Sequence, residues 1–213
     1  MLFRSDFKPG DRVFLNGASV CPDGIASAWG GHIQYAIAPV SQVVRLPAGV
    51  DLKAASALSM LSIAMHGVCR AAPLPGDRVL VAGQGLIGLF AAALLRRAGC
   101  RVAVADKVPA RLAVAQRLGQ SHRFEVGDTW PAPVRELFPD GVDILLDATG
   151  VPAVVRANLP LLRGKSWENL YEPSPKLVLL ASFPGDVALD YQETLFNKEC
   201  EDRKSTRLNP VTL

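Results

Sequence analysis

Six consecutive residues, Gly83-Gln84-Gly85-Leu86-Ile87-Gly88, have the types and spacing to hold a phosphate. Gly83 can make a tight turn, Gly85 leaves bare backbone for a pyrophosphate to approach, and Gly88 lets a helix and a strand pack closely. Free N–H groups at the helix start then meet the negative charge with the helix dipole behind them, and Leu86 and Ile87 within the turn belong to the same candidate site. Glycine turns are common, so the motif needs its setting. It follows the apolar run Arg78-Val-Leu-Val-Ala82 and opens a helical stretch, and Asp106 ends the next strand at about the 20-residue spacing of a dinucleotide fold. The Asp106 carboxylate can accept from both ribose hydroxyls of NAD and would repel the 2′-phosphate of NADP. Lys107 and Arg111 pull the other way, since basic groups there can bind that phosphate; NAD is favoured over NADP. Ala148-Thr149 and Ala181-Ser182-Phe183 fall at the ends of later strands, small or apolar residues suited to a flat ring or ribose, though ordinary loops explain them nearly as well.

These residues need elements to position them. Residues 7 to 50 read as short strands and turns: Arg12 to Leu15, His32 to Ala38 and Gln42 to Leu46 are the strand-like runs. Asp51 is a candidate N-cap for a helix through Leu52 to Cys69, broken by Pro73 to Gly76. From Asp77 strands alternate with helices. Arg78 to Ala82, Arg101 to Ala105, His122 to Val126, Val142 to Asp147 and Leu177 to Ser182 are strands. Leu89 to Ala98, Pro109 to Leu118, Pro131 to Phe138 and Pro152 to Leu162 are helices, and residues 163 to 175 a loop or insertion. Alternation of this kind predicts an α/β fold with a doubly wound parallel sheet.

Composition excludes several classes. The chain has 213 residues, 49% hydrophobic and 20% charged, in the range of a globular protein with a sizeable core and outside that of a disordered one. Its longest apolar run, Val79 to Leu95, is broken by glycines and Gln84, so no membrane span is expected. Asp6 and Lys8 stand where a signal peptide needs its apolar core. Cys21, Cys69, Cys100 and Cys200 form no C-x-x-C pair, which argues against a disulfide scaffold or a zinc knuckle and for a reducing cytoplasm.

The net charge of +3 depends on the two ends. Leu2-Phe3-Arg4-Ser5 can be encoded CTC TTC CGA TCT, and Glu201 to Ser205 can carry the reverse complement of that string, as a sequencing adapter read on both strands would. Residues 1–5 and 202–213 are therefore expected to be non-native. Without them acidic and basic residues balance, and a nucleic-acid partner is not predicted.

The chain resembles the medium-chain dehydrogenase/reductase superfamily in its zinc-type alcohol and polyol dehydrogenase branch. The resemblance rests on an ordered set: Gly10-Asp-Arg-Val13, Gly30-Gly31, Leu46-Pro47, Ala64-Met-His66-Gly67, Pro75-Gly76-Asp-Arg-Val79, the glycine motif, Asp106, Arg111-Leu-Ala113, Gly141-Val-Asp143, Asp147-Ala-Thr-Gly150 and Leu179-Leu-Ala-Ser182. It implies part of a β-rich, GroES-like catalytic domain with a linking helix over residues 6–66, then an incomplete NAD-binding Rossmann domain over 67–201. It further implies hydride transfer between NAD(H) and a small-molecule alcohol, polyol or carbonyl compound, in a protein that is a homo-oligomer when whole.

Pieces of the family pattern are missing. The upstream zinc-ligand Cys and Gly-His-Glu are not found, nor the last strand of the cofactor sheet, so the fragment itself is expected to be inactive and its sheet to end near Ser182. Only Cys21 stands where a structural zinc would need four cysteines. The remaining catalytic zinc ligand falls at Ser59, a poor donor beside thiolate, imidazole or carboxylate, which favours a zinc-free protein. His66 falls near the nicotinamide end and could relay a proton, although a helix-end histidine bonded to backbone is the commoner case; His32 reads as structural. Cys69 and Cys100 read as small core hydrophobes. No metal ligand and no catalytic acid or base is assigned. Two other readings share the glycine turn and following acid: an S-adenosylmethionine-dependent methyltransferase, and a non-catalytic nucleotide-binding module. The β-rich segment upstream favours the dehydrogenase.

Overall fold

A computed structural model describes residues 7–15, 35–164, 173–190, 192, 198 and, for the backbone, 201–204. The chain divides into two compact units, Met1–Ser59 and Met60–Leu213.

In the first unit β1 (Val13–Leu15) pairs antiparallel with β2 (Val43–Arg45), Val13 facing Arg45 and Leu15 facing Val43. Arg45 joins Asp11 at 2.7 Å and lies over the Phe7 ring. Of the expected strand His32 to Ala38, residues 32–34 lie outside the described residues and 35–38 form no continuous strand. The Val20–Gly31 loop, with Cys21, also lies outside them. Asp51 caps α1 (Leu52–Ala55) as expected, accepting from the Ala54 N–H at 2.9 Å. The single helix predicted through Cys69 is instead two. The Ser56 hydroxyl donates to the Lys53 carbonyl at 2.7 Å, competing with the helical ladder, and α2 (Leu58–Ala71) starts afresh.

The second unit is a parallel sheet with helices on both faces. Its strands are β3 (Arg78–Ala82), β4 (Arg101–Asp106), β5 (His122–Glu125), β6 (Ile144–Asp147), β7 (Lys176–Leu179) and β8 (Glu201–Lys204), in the order β5-β4-β3-β6-β7-β8. The connecting helices are α3 (Leu86–Arg97), α4 (Pro109–Arg117), α5 (Ala132–Leu137) and α6 (Pro152–Asn158). Strand alternation divides the core. Val79, Val81, Val102, Val104, Ile144, Leu146 and Val178 face α2, α3 and α4, whereas Leu80, Ala103, Leu145 and Leu177 face α5 and α6. Strands buried on both faces explain why these runs read as continuous apolar stretches. The order turns back on itself between β3 and β6, and a crevice at that switch point is where such sheets bind ligands.

One helix end carries an unusual device. α2 finishes on Ala72, whose φ of +44° is left-handed, and Lys176, buried at the start of β7, donates from Nζ to the Ala72 carbonyl at 3.0 Å. That places a cation on the helix C-terminus.

The expectation that the sheet stops near Ser182 is corrected by β8. Lys176 to Leu179 pair in parallel with Glu201 to Lys204, so the outer edge of β7 is covered. Pairing runs through the main chain, and an open edge offers a row of free N–H and C=O groups to any extended segment. Glu-Asp-Arg-Lys is poor in β-formers and gives no pattern by which a strand could be read. Three of its four residues belong to the segment assigned above to the non-native end.

Candidate functional site

The carboxyl ends of β3, β6 and β7 meet at three glycines. Gly83 leaves β3 with φ +89°, and its N–H donates to the Ala105 carbonyl at 2.8 Å. A Cβ on Gly83 would stand 2.9 Å from Thr149 Cγ2 and 3.1 Å from the Ala148 carbonyl, so the turns after β3 and β6 touch backbone to backbone. Gly88, one turn into α3, faces the Gly83 carbonyl oxygen under 3.0 Å from where its Cβ would be, with Ala148 Cβ at 3.4 Å. Gly150 has φ +71°, and a Cβ there would lie 2.6 Å from the Ser182 carbonyl oxygen and 3.4 Å from Ala181 Cβ.

Gly85 differs from all three. It is the N-cap of α3 with ordinary dihedrals (φ −68°, ψ −177°), no side chain caps the helix, and a Cβ would meet nothing within 4 Å. Neither turn strain nor packing requires glycine there. The space in front of it adjoins the N–H groups of Leu86 and Ile87, at the positive end of α3. The helix starts at Leu86, a turn earlier than expected, which puts these two groups in its first turn. An open approach to uncapped N–H groups at a helix start fits a phosphate-bearing ligand.

Asp106 is buried at the end of β4. Its Oδ2 accepts from the Gln84 N–H at 2.6 Å and faces Arg111 at 3.5 Å; its Oδ1 accepts from the Val108 N–H at 2.8 Å. A carboxylate has about four acceptor positions. Three are engaged by the chain itself, and the remaining capacity lies on Oδ1. The half-exposed Arg111 is the ion-pair partner of Asp106, and Lys107 is exposed to solvent. Of the other residues singled out, Ala148, Thr149, Ala181 and Ser182 come together around Gly83 and Gly150, whereas Phe183 packs against the core cluster of Leu80 and Leu177. His66 is half-buried in α2, next to Gly67, which lies against Leu180 just beyond β7; His32 lies outside the described residues.

Two site residues escape the sequence reading. Gln84 is fully buried, its Nε2 donating to the Gly83 and Val81 carbonyls at 2.9 and 3.3 Å, and its Oε1 has no partner. Nothing in the sequence marks it. Asp147, at the end of β6, accepts from the Thr149 N–H, the Thr149 hydroxyl and the Gly150 N–H at 2.8 to 3.1 Å. Burial pushes its carboxyl up from the ordinary range, against the lowering effect of those hydrogen bonds. The Asp-x-Thr-Gly spacing is a turn signal that could have found it.

The amino ends of the strands hold a second polar cluster. Asp143 accepts from Arg78 Nε at 3.0 Å and Arg163 Nε at 2.6 Å, the latter guanidinium being almost wholly buried. Burial alone would raise the Asp143 carboxyl; the Arg78 and Arg163 bonds outweigh it and hold the group below its ordinary value. Cys100 is buried nearby, its thiol pushed up to about 11 by burial and by the charges of Asp77 and Asp143.

Comparison with known proteins finds dehydrogenases. The sequence profile described as zinc-binding dehydrogenase matches residues 87–165. The chain is 38% identical over 137 residues to the L-galactonate-5-dehydrogenase of Escherichia coli K12, covering 63% of this chain and 40% of that protein. It is 29% identical over 213 residues to the L-threonine 3-dehydrogenase of Solibacter usitatus, covering 91% of this chain and 60% of that protein. A structure of the zinc-binding dehydrogenase class from Sinorhizobium meliloti 1021, bound to NADP, superposes with a TM-score of 0.76 at 23% identity, covering 94% of this chain and 63% of that one.

Over these stretches the chain is similar to zinc-type dehydrogenases.

The chain spans from two fifths to three fifths of these two curated relatives. The parallel sheet that β3 to β8 build is the fold shared with that structure. The family is named for zinc, so the donors on the chain bear on it. Among the described residues no three His, Cys, Asp or Glu stand together to hold a metal ion. Among the described residues no helix is long and apolar enough to cross a membrane.

Proposed function

We propose that the whole protein, of which this chain carries most of the cofactor half, transfers a hydride between NAD(H) and an alcohol or polyol, or the corresponding carbonyl compound. The observation that carries this reading is the uncapped, open start of α3 at Gly85, whose neighbour Gln84 donates its N–H to the buried Asp106 carboxylate at 2.6 Å. When bound, the dinucleotide supplies the hydride at its nicotinamide C4. The residues of the chain do the rest. Gly83, Gly85, Leu86, Ile87 and Gly88 hold the pyrophosphate on backbone N–H groups and the helix dipole. Asp106 receives a ribose hydroxyl on Oδ1. Ala148, Thr149, Ala181 and Ser182 line the way to the nicotinamide.

NAD is favoured over NADP because a buried carboxylate repels a 2′-phosphate and Arg111 is engaged with that carboxylate. Lys107, exposed beside them, is the group that could tip the preference toward NADP. Relatives named for L-galactonate and L-threonine support a small hydroxylated substrate. They give no support to a methyltransferase. A catalytic zinc held in part by Ser59 is not expected, a serine hydroxyl being a poor zinc ligand. We further propose a homo-oligomer working in a reducing cytoplasm.

Titration of the chain with NADH and NADPH, read by nucleotide fluorescence, tests the reading. NADH binds more tightly than NADPH, and Gly85→Ala weakens binding at least about tenfold while costing the fold no more than about 1 kcal/mol, the value of an N-cap. Absence of binding to either nucleotide, or a Gly85→Ala variant that binds as the parent does, overturns it.

A further inference from the structure

Asp147 is a carboxylate buried to 1% exposure with no cation within ion-pair distance among the described residues. Its hydrogen-bond donors are all neutral and all local: the Thr149 N–H, the Thr149 hydroxyl and the Gly150 N–H. Burying a charge against neutral donors alone is costly, and a turn of this shape is equally well made by asparagine. Stability gives no reason for the charge. The place of the turn does.

Every residue that Asp147 holds is pressed against another turn of the crevice. Thr149 Cγ2 and the Ala148 carbonyl crowd the Cβ position of Gly83, where the phosphate turn begins, and Ala148 Cβ crowds that of Gly88. Gly150 abuts the Ser182 carbonyl after β7. The Asp147 main chain completes the junction, its carbonyl accepting from Leu180 N–H at 2.9 Å, while Ala148 N–H donates to Ala82 at 2.8 Å. The three carboxyl-end turns therefore share one support. Thr149 and Gly150, the two residues that the Asp147 carboxylate holds, are thus the ones that adjoin Gly83 and Ser182.

We infer that Asp147 is a positioning residue for the cofactor: through Thr149 and Gly150 its carboxylate fixes the spacing between the phosphate turn after β3 and the turn after β7. The inference rests on the reading of this crevice as a dinucleotide site. A charge-assisted acceptor is about twice as strong as a neutral one, and so holds the turn more tightly than an amide would.

The test uses the full chain with Asp147→Asn, Thr149→Val and Thr149→Ser. Asp147→Asn and Thr149→Val each raise the Kd for NADH about tenfold or more, the order of one charge-assisted hydrogen bond. Thr149→Ser keeps the hydroxyl and stays within about threefold of the parent. The melting temperature of Asp147→Asn is unchanged or higher, since a buried charge is removed. A merely structural carboxylate would give the opposite pairing, a lower melting temperature with unchanged affinity in the folded fraction, and that result overturns the proposal. Should the parent bind no nucleotide, the dinucleotide reading fails separately, and amide exchange of the free chain still decides the point. Asp147→Asn then speeds exchange at Thr149, Gly150 and Gly83 about tenfold or more with Leu145 unchanged; equal rates at all four overturn it.

Discussion

The carbonyl oxygen of Gly83 occupies the space in which a Cβ on residue 88 would have to stand. Helix α3 can therefore start against β3 only if residue 88 is glycine. Gly85, three residues earlier, faces open space. The two glycines thus separate on a stability measurement. Gly88→Ala forces α3 off the sheet and costs about 3 kcal/mol or more, since backbone cannot give way as a side-chain end can. Gly85→Ala costs about 1 kcal/mol or less. Urea unfolding of both variants measures the gap, and equal destabilisation would mean that α3 does not sit on β3 as described.

Acid acts on Asp143 and Asp147 with opposite sign. Asp143 is held below its ordinary value by Arg78 and Arg163, so its contribution is full above the unfolded-state value and is lost as pH falls through the lowered folded one. Asp147 is raised, so the folded chain takes up that proton first, and its burial penalty is relieved between the raised and the ordinary value. Asp143→Asn takes the carboxylate charge away from the buried Arg163 guanidinium and costs about 3 kcal/mol near neutrality. Its melting temperature also falls less steeply from pH 5 to 3 than that of the parent. Asp147→Asn, lacking the relief, falls more steeply. Melting curves across that range check both slopes.

Gly83, Gly88 and Asp106 are legible in the sequence because each answers a local backbone demand: a left-handed turn, a close helix-to-strand approach, an acid at a strand end at fixed spacing. Strand and helix positions in the second unit are legible because buried parallel strands are continuous apolar runs. What stays hidden depends on distant partners. That three donors of the chain engage Asp106 follows from the fold of Gln84, Val108 and Arg111 around it. The break between α1 and α2 turns on one serine hydroxyl. Phe183 reads as a crevice residue from its place after a strand, yet it serves the opposite core.

Cysteine reactivity separates the two described thiols. Cys69 is exposed, whereas Cys100 is buried with its thiol raised to about 11. Nucleophilic attack needs the thiolate. At pH 8 iodoacetamide labels Cys69 and spares Cys100 until urea unfolds the chain, a pattern read by peptide mass mapping. Labelling of Cys100 in the native state would mean that the edge formed by Leu74 and Asp77 opens.

The outer strand makes the last prediction. β8 covers β7 through main-chain pairing, with Glu201 opposite Lys176 and Lys204 opposite Leu179. Arg203→Pro, placed opposite Val178, removes an N–H from the middle of the strand and sets its φ, which a paired strand tolerates poorly. The exposed β7 edge then offers its free N–H and C=O groups to other chains. Light scattering is expected to show concentration-dependent association of Arg203→Pro where Arg203→Ala stays at the parent's mass. If both variants match the parent, β8 does not protect the sheet, and residues 202–213 can be removed without consequence, as expected of a non-native end.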